Sequence, residues 1–225
     1  MNSRIQADLH IHTRRFSGCS NIDPIEALHR AKSLGLKVVA FTEHGIRWPD
    51  DEIERLLRYS GIKDLVIIPG QEVACYSERG NFQGEFLVFG YHESLGSNKS
   101  AQTLIKLVHS EGGVVIAAHP YKKNKTGEGF FGCGNTMTEL EIDGLEVEHP
   151  SYDDESRSLA FHAMSVCNLA GLGCSDAHEL NDIGACRTVF ETEIDSVNSL
   201  VTSIHLKRLG AANCRKTCRV VDRRP

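Results

Sequence analysis

At 225 residues, with 40% hydrophobic and 24% charged side chains, the chain has enough apolar material for one large single-domain core, and α/β barrels commonly reach this length undivided. A net charge of −5 with lysines and arginines scattered through the chain argues against an extended nucleic-acid surface. No run approaches the ~20 apolar residues of a membrane span, no apolar signal core is seen, and the eight cysteines lack regular Cys-x-x-Cys pairing, so a reduced, cytoplasmic protein is expected.

Strands and helices alternate along the chain. Residues 4–13 alternate polar and apolar side chains, predicting a strand that projects His10 and His12 from one face. Asp23 as N-cap and Pro24 at the first position open a helix that Gly35 stops. A short apolar strand, 37–41, ends at Thr42-Glu43-His44. A helix over about 51–59 leads to a strand at 65–69 that ends at Gly70-Gln71-Glu72. Residues 85–90 predict another strand, and 100–111 an amphipathic helix closed by Gly112-Gly113.

The strand at 114–118 runs into His119-Pro120, and a lysine- and glycine-rich loop, 122–135, reads as an active-site flap or an exposed loop. A strand at 143–148, a helix over about 152–170 and a strand at 172–175 follow, the last ending at Asp176-Ala177-His178. A helix over 194–209 closes the domain. From residue 213 a basic tail carries Arg215, Lys216, Arg219, Arg223 and Arg224 and is expected to be frayed. Its Cys214 and Cys218 form a loose pair, with metal ligation or oxidation as the alternative.

Continuously apolar strands separated by helices indicate a parallel sheet covered on its outside, most economically a (β/α) barrel. In such a barrel the C-terminal strand ends converge on one mouth. His10, His12, His44, Glu72, His119, Asp176 and His178 all fall there, and a mixed imidazole and carboxylate set of this size suits divalent ions better than a single thiolate-bound zinc.

The strings Asp8-Leu9-His10-Ile11-His12-Thr13, Thr42-Glu43-His44, Gly70-Gln71-Glu72, Ala118-His119-Pro120 and Cys174-Ser175-Asp176-Ala177-His178 closely resemble the PHP (polymerase and histidinol phosphatase) superfamily, in family order from Asp8 to about Gly210. The resemblance implies an α/β fold, a distorted seven-stranded TIM-like barrel over residues 1–212. It also implies two or three divalent ions (Mn, Zn or Fe) and hydrolysis, usually of phosphate esters. By position, His10, His12, Glu72 and Asp176 would hold one ion; Glu72 would bridge to a second, shared with His119; His44 and His178 would hold a third.

Three departures stand out. Glu85 occupies a position where the family usually has histidine, and is a candidate second-site ligand. Thr-Glu-His replaces Thr-Asp-His at Glu43. No histidine or acidic residue appears from Arg14 to Ser20, so the third site is expected to be weak, filled by water or completed by substrate. Glu146 falls on a family position near the site, but Glu148-His149 replaces the expected residues, and both rank below the core set. His29, His92, His109, His162 and His205 are assigned to surface or packing.

Clustered ions about 3.5–4 Å apart can share a hydroxide nucleophile and clamp phosphoryl oxygens. Asp176 or His178 is the candidate proton carrier. Arg14, Arg15, Lys122 and Arg187 are candidates to bind phosphate, each equally well read as a solvated rim charge. The expected function is a metal-dependent phosphoesterase acting on a small phosphorylated metabolite, or on a nucleotide or oligonucleotide end, with nucleic acid entering only as substrate. A metal-dependent amidohydrolase and a non-catalytic metal- or ligand-binding module are the alternatives.

Overall fold

The computed structural model describes residues 4–214 and 219–221. In chain order its first half runs β1 (Ile5–Ile11), α1 (Pro24–Ser33), β2 (Val38–Phe41), α2 (Asp50–Ser60), β3 (Val66–Tyr76), β4 (Phe82–Phe89), α3 (Ala101–Ser110) and β5 (Val114–Ala117). The second half runs β6 (Gly144–Glu148), α4 (Asp154–Val166), β7 (Ala170–Gly173), β8 (Cys186–Phe190), α5 (Val197–His205), β9 (Leu209–Asn213) and β10 (Arg219–Val221). The strands form one sheet in the order β10-β9-β8-β1-β2-β3-β4-β5-β6-β7.

The sheet is mixed, which corrects the expectation of seven parallel strands. β1, β2 and β3 are parallel to one another, as are β5, β6 and β7, but β4 runs antiparallel between β3 and β5. The cause is local. β3 extends well past its expected end, and residues 77–81 return it directly into β4, with Ser77 N–H donating to Asn81 O at 2.8 Å. A turn this short cannot make a parallel crossover, which needs a dozen or more residues. β8 and β9, not foreseen as strands, pair antiparallel beside β1.

The two arms of the sheet meet at a seam. Thr188 Oγ1 in β8 donates to Gly173 O (2.9 Å) and accepts from Gly173 N–H (3.2 Å). The approach requires glycine, since a Cβ on Gly173 would lie 2.5 Å from Arg187 O. Nine strands, β1 to β9, thus make a nearly closed, barrel-like α/β fold. Inside it Ala7, Leu9, Val38, Ala40, Ile68, Leu87, Phe89, Ile116 and Leu172 pack together, and Leu200 and Ile204 of α5 join this cluster. Two further clusters pack α1 and α2 against β1–β3, and α3 and α4 against β4–β6.

Several boundaries moved. The last helix stops at His205 because Leu209 enters β9, and α4 ends at Val166 because Ala170 enters β7. Of the expected tail, Asn213 belongs to β9 and Arg219–Val221 pair with it, so that part is not frayed. Arg215, Lys216, Cys218, Arg223 and Arg224 lie outside the described residues.

Candidate metal centre

Strict alternation would turn His10 away from Leu9 and out of the barrel. The register of β1 against β2 prevents this: Asp8 pairs with Val39 and Ile11 with Phe41, so three steps on β1 match two on β2. The extra residue is a bulge that lets Leu9 and His10 both face inward, a known way of re-aiming a side chain beside a site. On the β3–β4 hairpin, Glu72 pairs with Leu87 and Ala74 with Glu85. Glu72 and Glu85 therefore share the interior face as diagonal neighbours. Because β4 runs backwards, it is the start of this strand, not its end, that reaches the mouth.

These residues converge. Glu72 Oε1 lies 3.3 Å from His10 Nε2 and 3.0 Å from His119 Nε2, while Oε2 lies 3.3 Å from His12 Nε2 and 3.0 Å from His44 Nδ1. Asp176 Oδ1 lies 3.4 Å from His10 Nε2, 3.6 Å from His12 Nε2 and 3.6 Å from His178 Nδ1. Glu85 Oε2 is 3.5 Å from His119 Nε2. Four groups have donor atoms within 4.8 Å of one another: His12/His44/His178, His10/His12/Asp176, His10/Glu72/His119 and His44/Glu72/Glu85. His119 and Asp176 are non-glycine residues at φ 29° and 50°, strained conformations costing about 1–3 kcal/mol each that surrounding structure must enforce.

The hydrogen bonds behind the cluster set its tautomers. Glu146 is fully buried; Oε1 accepts from His10 Nδ1–H (2.8 Å) and Oε2 from the backbone N–H of His119 (2.6 Å). Ser17 gives its hydroxyl proton to Glu43, so it accepts from His12 Nδ1–H at 3.3 Å. Glu43 is itself saturated by Thr13 N–H and Oγ1–H and by the Trp48 indole (2.9 Å). Both Nδ1 atoms being committed, His10 Nε2 and His12 Nε2 face each other at 3.0 Å. They share a single proton or give both lone pairs to a cation.

Charge makes the same demand. Burial opposes ionisation of Glu72 and Asp176, yet the surrounding imidazoles, His10 foremost, hold both carboxyls well below the usual range, and Glu146 is lowered in the same way. Conversely, burial opposes charge on His10, but Glu72, Glu146 and Asp176 pull it well above its ordinary value. Three buried anions are thus balanced by imidazolium or by bound cations. Imidazole nitrogens with carboxylate oxygens form a donor set that fits borderline divalent ions.

The expected core set is brought together in full, Glu85 included, and Lys122 joins it through a 2.9 Å contact from Nζ to Asp176 Oδ2. The three arginines are not. Arg14 pairs with Asp23 (2.6 Å), and Arg15 pairs with Glu52 while stacking over Phe16. Arg187 is buried and spends its guanidinium on Gly184 O, Leu34 O and Gln6 Oε1, where it ties the strands below the mouth. Asp176, a candidate proton carrier, turns Oδ1 toward His10, His12 and His178 and Oδ2 toward Lys122.

Glu146 and His149, ranked low in the sequence, both belong to the site; His149 Nε2 reaches Asp176 Oδ2 at 3.3 Å. The signal for Glu146 was its place between Leu145 and Val147, which face outward in β6 and so turn Glu146 inward. Cys19, unconsidered in the sequence, has Sγ 3.3 Å from His44 Nε2. Burial and the carboxylates of Glu72, Asp176 and Glu43 push its thiol up. His29, His92, His109, His162 and His205 are exposed, as expected.

Residues 8–162 match the family model described as PHP domain, and residues 155–209 match one described as PHP-associated. The chain belongs to the PHP family. The uncharacterized protein MJ1587 of Methanocaldococcus jannaschii is 28% identical over 160 residues, covering 67% of this chain and 85% of that protein. A two-domain protein of Bacteroides vulgatus, containing a predicted PHP-like metal-dependent phosphoesterase, superposes with a TM-score of 0.70 at 17% identity. That match covers 94% of this chain and 65% of the other. The lesion-specific endonuclease PfuEndoQ of Pyrococcus furiosus gives a TM-score of 0.57 at 19% identity, covering 90% of this chain and 56% of its own. At these identities the structural likeness is one of fold. No helix among the described residues is long and apolar enough to cross a membrane.

Proposed function

We propose that this chain is a metal-dependent phosphoesterase whose substrate is a small phosphorylated metabolite or a nucleotide or oligonucleotide end. The observation that carries the reading is the pair of Nε2 atoms of His10 and His12, 3.0 Å apart between the buried carboxylates of Glu72 and Asp176. In this reading His10, His12, Glu72 and Asp176 hold one divalent ion; Glu72, Glu85 and His119 hold a second; His44 and His178 hold a third. Such ions, when bound, activate water toward phosphorus and neutralise charge developing on the phosphoryl oxygens.

The chain's own groups do the rest. Glu146 fixes His10 by holding its Nδ1 proton, and Ser17 fixes His12 in the same way. Lys122, with one of its three N–H donors on Asp176 Oδ2, has donors left for a phosphoryl oxygen. His178 Nδ1 is held by the carbonyl of Asp176 (2.9 Å), leaving Nε2 to ligate an ion or pass a proton to the departing oxygen. Zinc, manganese and iron(II) all suit the donors.

The test is to strip the protein with chelator and reload it with zinc, manganese or iron(II). Each form is then assayed on sugar phosphates, mononucleotides and short oligonucleotides, with an amide panel alongside. Metal-restored release of phosphate or of a phosphorylated fragment is the expected result. Turnover confined to the amide panel, or no turnover in any loaded form, would overturn the proposal.

A further inference from the structure

The β3–β4 hairpin that carries Glu72 and Glu85 continues past both. Along β3, Val73 and Cys75 are fully buried in the outer layer, while exposure on the opposite face rises from Glu72, 2%, through Ala74 to Tyr76, 39%. Glu72, Ala74 and Tyr76 therefore share the face that looks into the mouth. Across the ladder they pair with Leu87, Glu85 and Phe82. Strict alternation from Glu85 would turn Phe82 to the outer face. A bulge between the Cys75–Gly84 and Tyr76–Phe82 pairs prevents this and leaves Gln83 without a partner in the ladder. Gln83 Oε1 instead accepts from the N–H of Ala101 at 3.0 Å, and Gly84 takes a φ of 123°, where a Cβ would meet that of Cys133 at 2.7 Å. The result is two aromatic rings side by side, centroids 5.5 Å apart, with Phe82 44% exposed. At about 3.4 Å per residue this rung stands about 13 Å along β3 from Glu72, and about 7 Å beyond the rung of Glu85.

We infer that Tyr76 and Phe82 form a stacking shelf for a nucleobase, so that the ester turned over at the centre belongs to a nucleotide or an oligonucleotide end and not to a simple sugar. This rests on the phosphoesterase reading given above. Aromatic side chains stack on the flat face of any base, and rings left half in water offer contact area at little conformational cost. Reach selects the same class. A sugar phosphate extends only one ring from its phosphorus, short of the aromatic rung. In a nucleotide the base follows as a second ring, and in an oligonucleotide the neighbouring unit extends further. Charge favours a short occupant: Arg14 and Arg15 are engaged by Asp23 and Glu52, so the rim lacks the free cationic track that a long backbone would need. The competing account is an aromatic cross-strand pair that only secures the end of the hairpin.

The experiment compares, on metal-loaded protein, substrates matched except for the base. Adenosine monophosphate is set against ribose phosphate, and trinucleotides phosphorylated at either end are set against the same chains lacking the base of that end. KM should favour the base-bearing member by about five- to a hundredfold, the range that base–aromatic stacking supplies. Tyr76→Ala and Phe82→Ala should each bring the ratio of the two KM values toward one, and Tyr76→Phe should keep it. A pair that only secures the hairpin would, on truncation, lower turnover of both members alike and leave the ratio where it was. Equal KM values for base-bearing and base-free members in the unmutated protein would overturn the shelf while leaving the phosphoesterase reading standing. So would a ratio that survives in the folded Tyr76→Ala and Phe82→Ala double variant. No phosphate release from any member, in any metal form, would bring down that reading and this inference with it. The first comparison is made on the unmutated protein, so a variant that fails to fold does not blunt the test.

Discussion

Glu146→Gln is the sharpest probe of how the centre is built. The carboxylate accepts two hydrogen bonds in full burial, from His10 Nδ1–H at 2.8 Å and from the His119 backbone N–H at 2.6 Å. An amide of the same shape offers one oxygen and one NH2, so it can satisfy only one of them. The His119 N–H is fixed in the backbone and claims the oxygen; the NH2 then meets His10 Nδ1, which must give up its proton and become an acceptor. That moves the imidazole proton to Nε2, the atom needed for an ion.

Losing a buried charge-assisted hydrogen bond costs about 1.5–3 kcal/mol. Removing a partner that orients a histidine ligand commonly weakens metal binding about 10–100-fold, or about 1.4–2.8 kcal/mol. The two routes agree, so the metal affinity of Glu146→Gln should fall by one to two orders of magnitude in a chelator-competition titration. Turnover at limiting metal should fall with it. The same fold should be retained, as judged by circular dichroism. An affinity within about twofold of wild type in a folded variant would refute the tautomer argument.

Other perturbations separate site from scaffold. His178→Ala, at a side chain 31% exposed, should open no core cavity; turnover should drop about a hundredfold or more with near-wild-type thermal unfolding in excess metal, and full activity would make the third position dispensable. Glu85→Gln should lose second-site metal while Glu85→His keeps much of it, as read by metal analysis; unchanged content in the Gln variant would mark Glu85 as a strand residue. Gly173→Ala should destabilise the seam by about 1–3 kcal/mol in chemical denaturation, because the new Cβ meets Arg187 O, while metal stoichiometry of the folded fraction holds. Burial pushes the Asp8 carboxyl up to about 6 from 3.8. The folded chain keeps that proton where the unfolded chain has lost it, so this residue makes stability fall as pH rises between those values. Asp8→Asn should flatten that fall in the stripped protein's unfolding midpoint measured against pH.

The sequence made the ligand set legible because metal chemistry is written in residue types at strand ends: Glu72, His119 and Asp176 each come shortly after an apolar run, and His10 and His12 lie on an alternating strand. What it hid was geometry. The bulge in β1 cannot be seen from alternation, which would have turned His10 outward. Polarity alone did not show that β3 continues to Tyr76 and doubles back, so β4 was expected to run parallel. Its residue Glu85 reached the mouth for a different reason than the one expected. Arg187 resembles a phosphate ligand only while its carbonyl partners, Gly184 and Leu34, remain unknown. β8 and β9 are short and rich in small or polar residues, and only pairing beside β1 defines them.

The path His12–Ser17–Glu43–Trp48 has one more consequence. Trp48 is the sole tryptophan of the chain, 3% exposed, with its indole N–H on Glu43 Oε1. Its ring lies 5.1 Å from Phe16, on the same loop as Ser17. Any shift of His12 is therefore felt, three hydrogen bonds away, by the one strong fluorophore present, with no second indole to dilute the signal. The protein contains its own optical gauge of the first ligand strand, readable by emission on unlabelled material in a stopped-flow cell.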